Sequence, residues 1–131
     1  MKIDFAERAR ALVGTPFRLQ GRGELACGLD CVGVAIATYG LPVEKVRRNY
    51  RLRGDHADEI VDFLSEDFRR VPSARLRPGD LMLMRVSDDQ LHLGVRTDCS
   101  FVHAHAGLRR AVETPGLPEW PMLGAYRKRR R

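Results

Sequence analysis

With 131 residues, 44% of them apolar, and 23 Lys and Arg against 17 Asp and Glu, the chain has a formal charge of +6 and enough apolar material for one core without covalent staples. Three cysteines, an odd number, argue against a disulfide framework and for synthesis in a reducing compartment. Internal repeats, low-complexity linkers and membrane-length apolar runs are missing from the sequence, so one domain over 1–131 is expected and a repeat array or a membrane span is excluded.

In chain order, the start Met1-Lys2-Ile3-Asp4-Phe5 lacks the apolar stretch of a signal peptide and leads into an amphipathic helix over 4–13. Pro16, Gly21, Gly23 and Gly28 then break helical structure. The almost wholly apolar run over 31–39 reads as a second helix, with Asp30 as its N-cap and Gly40 suited to its C-cap. Further helices are expected over 43–49 and 56–68, the last capped by Asp55, with His56 at its start as a surface residue. Beyond Pro72, turn residues alternate with short apolar runs, predicting strands over 81–86, 91–96, 101–105, 109–113 and 122–127. Helices followed by antiparallel strands describe an α+β fold, N-terminal helices packed on a C-terminal sheet of about five strands.

Within this frame, Cys31 opens the second helix. A thiol there feels unpaired backbone N–H groups and the positive end of the helix dipole, which favour the thiolate and make it a nucleophile. A buried core cysteine is the plainer reading of position alone. A partner is available, however. His92 starts a predicted strand and shares a face with Gly94, while Leu91, Leu93 and Val95 point the other way. If the next turn centres on Asp98-Cys99, then Phe101, His103 and His105 lie on one face close to His92 across the hairpin. A nucleophile, a base and a polar orienter are the parts of a thiol hydrolase.

Gly14-Thr15-Pro16-Phe17, then Gly28-Leu29-Asp30-Cys31-Val32-Gly33, Arg77-Pro78-Gly79-Asp80-Leu81, His92-Leu93-Gly94-Val95 and Phe101-Val102-His103-Ala104 together resemble the NlpC family of papain-like cell-wall cysteine peptidases. The order holds from about residue 12 to 106 and looks most like the compact members of phage tails and gene transfer agents. The resemblance implies a papain-like fold, with Cys31 as nucleophile, His92 as general base and His103 as the residue orienting it; His105, on the same face, is the alternative third member. It also implies cleavage of peptidoglycan stem peptides, with no metal or organic cofactor. Asp30 is either a helix cap or a ligand for a substrate amine. With Phe17 and His105 it makes up the expected substrate-binding set. Phe17 stands where many members have Tyr, and Val32 where Ser is common.

Two other functions compete. One is a structural tail component that keeps the peptidase fold with weak or no activity. The other is a zinc module using Cys27, Cys31, His92 and His103, which lacks a second paired motif of usual form. Without a signal peptide, the resemblance points to synthesis in the bacterial cytoplasm and incorporation in a phage or phage-like tail, with tail proteins and stem peptides as partners. The basic ending over 127–131 invites a nucleic-acid reading, but no nucleic-acid fold signature accompanies it. It is expected to be an exposed tail that docks on acidic partners.

Overall fold

A computed structural model describes residues 3–16, 31–41, 64–87, 90–105 and 107–129. Helix α1 (Phe5–Arg10) is capped by Asp4, whose carboxylate accepts from the Glu7 N–H at 3.1 Å, and it buries Ala6 and Ala9. Helix α2 (Cys31–Tyr39) buries eight of its nine residues, as a helix apolar all round must. It ends where Gly40 takes the left-handed conformation (φ 68°), letting the Gly40 and Leu41 N–H groups both reach the Ile36 carbonyl. The strands are β1 (Phe68–Val71), β2 (Leu81–Ser87), β3 (Gln90–Arg96), β4 (Ser100–His105), β5 (Arg110–Pro115) and β6 (Met122–Lys128). They form one antiparallel sheet in the order β1-β6-β2-β3-β4-β5.

Strand alternation sorts the core into two clusters. Leu81, Leu83, Leu91, Leu93, Val95, Val102, Ala104 and Tyr126 point to the helices and pack with Cys31, Val32, Val34, Ala35 and Ile36 of α2. Met82, Met84 and Phe101 point to the other face, against Leu76, Trp120 and Met122. Burial of the first cluster is what holds α2 over β3 and β4. The rings of Phe5, Tyr39 and Phe68 follow one another at 4.9 and 5.0 Å and tie α1, α2 and β1 together. Tyr39 also donates to the Gly79 carbonyl at 2.7 Å. Gly79 has φ 95°, a left-handed backbone that favours glycine, while a Cβ there would meet Phe5 only at ordinary contact distance.

The five predicted strands are present, and β1 makes a sixth. The helix predicted over 56–68 stops short of Phe68: Leu64 and Ser65 are helical, Glu66 and Asp67 turn, and Phe68 begins β1. Leu64 and Phe68 are four apart and imitate a helical stripe. Pairing with β6, from Phe68↔Lys128 to Val71↔Ala125, overrides that local signal. The helix predicted over 43–49 and most of the one over 56–68 lie outside the described residues. The expected α1 is shorter than 4–13, because residues 11–14 turn and the chain then meets β5 through Gly14 N–H to Ala111 O and Ala111 N–H to Thr15 O, at 2.9 and 2.8 Å.

Candidate active site

Cys31 is the first residue of α2, where helix N–H groups have no intrahelical acceptor, and it is 5% exposed. Beneath α2 the sheet is not uniformly zipped. β4 pairs with β5 along its whole length, from Ser100↔Pro115 to His105↔Arg110. With β3, by contrast, it pairs only at Val95↔Val102 and Arg96↔Phe101. Toward His92 on β3 and His103 on β4 the ladder is not continued, so the two strands part on the side of the histidines. The hairpin turns at Asp98-Cys99 as expected, closed by Thr97 N–H to Ser100 O at 2.9 Å.

His92 and His103 meet there. His92 Nε2 lies 2.9 Å from His103 Nδ1, and His103 Nε2 lies 3.0 Å from Thr114 Oγ1 on β5. Two proton arrangements satisfy this line. In one, His92 donates to His103 and His103 donates to Thr114, leaving a lone pair on His92 Nδ1. In the other, the hydroxyl donates first and every donor reverses. Phe101 stacks on His103 at 4.7 Å, and the edge-on indole of Trp120 lies 5.7 Å from His92 and 5.9 Å from His103. Packed among these rings, both imidazoles are held neutral: burial, then His103 and His105, lower the His92 pKa to about 3, while burial, then His105, lower that of His103 to about 4.

His105 faces the same way but is engaged differently. Its Nδ1 accepts the Leu108 N–H at 3.0 Å within the β4–β5 turn, and its ring centroid is 5.8 Å from that of His103. Of the two strand histidines, His103 is therefore the one hydrogen-bonded to His92. Val32 is buried in the helix-side cluster. Phe17, Cys27 and Asp30 lie outside the described residues. Among those described, no group of three or more His, Cys, Asp and Glu is placed to hold a metal ion.

Thr114 and Trp120 escaped the sequence reading. The predicted strand over 109–113 stopped one residue before Thr114, although alternation from Val112 puts Thr114 on the same face as its neighbours Phe101 and His103. Trp120 sits between β5 and β6 in a segment without periodicity.

The basic ending is also not the free tail expected. Arg127 belongs to β6 and grips Asp80 with two parallel bonds, Nε to Oδ1 and Nη2 to Oδ2, both 2.8 Å. Asp80 is 1% exposed and accepts the Arg77 N–H as well, so this pair fixes the Arg77-Pro78-Gly79-Asp80 turn before β2. Lys128 pairs with Phe68, and the Arg129 N–H bonds the Asp67 carbonyl at 2.8 Å.

No family model matches the sequence, nor does any of the curated proteins compared with it. Solved structures do match. The peptidoglycan hydrolase RipB of Mycobacterium tuberculosis is 20% identical with a TM-score of 0.59, over 95% of this chain and 62% of that one. An NlpC/P60 family protein of Bacillus cereus is 18% identical with a TM-score of 0.65, over 95% and 39%. RipD of M. tuberculosis, described as a non-catalytic NlpC/p60 domain protein adapted to peptidoglycan binding, is 15% identical with a TM-score of 0.55, over 95% and 94%. The chain thus spans less than two thirds of the first two proteins, and at these identities the likeness is one of architecture. By that likeness, and by its helices packed on an antiparallel sheet, the chain has the α+β papain-like fold of NlpC/P60 proteins.

Proposed function

We propose that this chain is a cysteine peptidase acting on peptidoglycan stem peptides, with Cys31 as nucleophile, His92 as general base and His103 as the residue that orients His92. The observation that carries the reading is the line His92–His103–Thr114, with bonds of 2.9 and 3.0 Å, set where β3 and β4 part, on the sheet face that Phe101 and Trp120 share and α2 does not cover. If each histidine donates toward Thr114, His92 Nδ1 keeps its lone pair. It then takes the Cys31 proton as the sulfur attacks the scissile carbonyl. The thiolate raises the basicity of His92 as it forms, offsetting the burial that holds the imidazole neutral. The Cys31 N–H, at the start of α2, donates to the developing oxyanion. Protonated His92 next gives its proton to the leaving amine. Water, deprotonated by His92, then hydrolyses the acyl-enzyme. A hydrolase among the similar structures supports the substrate class.

Delivery by a phage-type tail belongs to the same proposal and rests on the Gly14-Thr15-Pro16-Phe17 and Asp30-Cys31-Val32-Gly33 pattern. A second reading, wall binding without cleavage, is favoured by RipD and by the strongly depressed His92 pKa. Mass spectrometry of muropeptides after incubation with purified wall separates the two. Catalysis gives shortened stem peptides with the wild type and none with Cys31→Ala. An unchanged muropeptide profile, with the protein still sedimenting with wall, establishes the binding reading instead.

A further inference from the structure

A cavity of about 230 Å³ opens beside β1, β6 and the 3-10 turn Ser73–Arg75, lined by Arg69, Val71, Pro72, Arg75, Arg77 and Arg127. Its register sets it apart from the histidines. Asp80, the anchor of Arg127, lies four residues before Met84 on the β2 strand line, and Met84 pairs with His92. Four residues of extended chain are about 13 Å.

The charges around the cavity do not balance. Asp80 neutralises Arg127, and its oxygens are occupied by that guanidinium and by the Arg77 N–H. Among the described residues, the side chains of Arg69, Arg75 and Arg77 have no hydrogen-bond or ion-pair partner, and all three residues are exposed. Three arginines whose side chains are uncompensated line one space, and, Arg127 aside, the remaining lining residues Val71 and Pro72 offer neither acid nor side-chain acceptor. Arg127 forms a fixed floor, held by Asp80 and by its Nη2 bond to the Arg75 carbonyl at 3.1 Å. Like charges so placed repel one another, and an anion between them removes that cost. The space is smaller than the 300–1,000 Å³ or so of sites for whole drug-sized ligands, so it suits a charged group.

We propose that this arginine cavity is a binding site for a phosphoryl dianion, either free phosphate or a terminal phosphomonoester. Every side-chain donor of the lining residues is a guanidinium, and the ligand must supply acceptors to them; a tetrahedral oxyanion presents enough of them to engage three forks at once. A single carboxylate has two oxygens and one charge, too few for three unpaired cations. The proposal is independent of the catalytic reading.

The test is a titration of the full chain with inorganic phosphate at low ionic strength, following the arginine Nε–Hε resonances by NMR, with methyl phosphate and dimethyl phosphate as parallel arms. Expected are saturable shifts at Arg69, Arg75 and Arg77, at least about tenfold weaker binding in Arg75→Gln/Arg77→Gln, and wild-type binding in Arg110→Gln, which removes a charge from β5. Binding of phosphate alone assigns the free ion, whereas equal binding of methyl phosphate assigns a terminal phosphomonoester. Arg75 and Arg77 make no side-chain contacts that the fold depends on; Arg69→Gln serves as an independent variant and should also weaken binding. Dimethyl phosphate binding as tightly as phosphate, shifts reproduced by chloride at the same ionic strength, or equal weakening in Arg110→Gln would each overturn the proposal.

Discussion

His92 and His103 are neutral because they are buried, and this makes them sensors of acid. An exposed imidazole in the unfolded chain has a pKa of about 6.5, while in the fold the two are lowered to about 3 and 4. Between those values the unfolded chain binds more protons. The pair's stabilising share is therefore present above about pH 6.5 and is lost as pH falls toward 4. Urea denaturation should show stability falling from pH 7 to pH 4.5, with a shallower fall in His103→Asn; an identical slope in the variant would mean that other groups govern acid sensitivity. The same geometry ranks the histidines in turnover. His103→Ala should lower kcat by about ten- to a thousandfold, as loss of a base's support does, and His105→Ala by less, because His105 bonds the Leu108 N–H rather than His92. Equal losses would argue against His103 as the orienting residue. Alternation and the Asp98-Cys99 turn made the meeting of His92 with the β4 face legible in the sequence. They could not choose between His103 and His105, since period two puts both on that face and only the packed rings discriminate.

At the level of elements, β6 gains most of its meaning from partners far away in sequence. Arg127 and Asp80 are 47 positions apart, and no local pattern announces such a pair, so the ending looked like a solvated charge run. Its place in the sheet, paired with β1 and β2, replaces the expectation of an exposed docking tail beginning at Arg127. Deleting 128–131 removes the Phe68↔Lys128 rung and the Arg129–Asp67 bond, and should destabilise the fold by about 1–3 kcal/mol in chemical denaturation. No change in the denaturation midpoint would mean that β1 holds without them. Arg127→Gln should cost more, about 2–4 kcal/mol, because it strands a nearly buried carboxylate. The five predicted strands were readable because apolar alternation and turn residues agree along 81–127. β1 was not readable, being four residues long, with two arginines and a flanking apolar spacing that imitates a helix.

Across the whole molecule the two chemical halves come from different parts of the chain: the thiol from the start of an apolar helix, the imidazoles from a hairpin on the sheet beneath it. Helix-side residues Leu91, Leu93 and Val102 alternate with His92 and His103, so the imidazoles lie on the sheet face away from α2, and the proposed encounter between the halves has to pass through the parting of β3 from β4 beyond Val95↔Val102. That encounter is the centre of the functional account, and it is tested by the alkylation rate of Cys31 at pH 6, read by peptide mass spectrometry against Cys99 in the same folded sample. Burial alone makes Cys31 the slower, since it is 5% exposed and Cys99 lies exposed at the hairpin turn. An ordinary thiol with a pKa near 8.5 is only about 0.3% thiolate at that pH. If Cys31 is activated by the helix start and His92, iodoacetamide should modify it at least about tenfold faster than Cys99, and His92→Ala should abolish the advantage; a Cys31 that reacts more slowly than Cys99 would contradict the account.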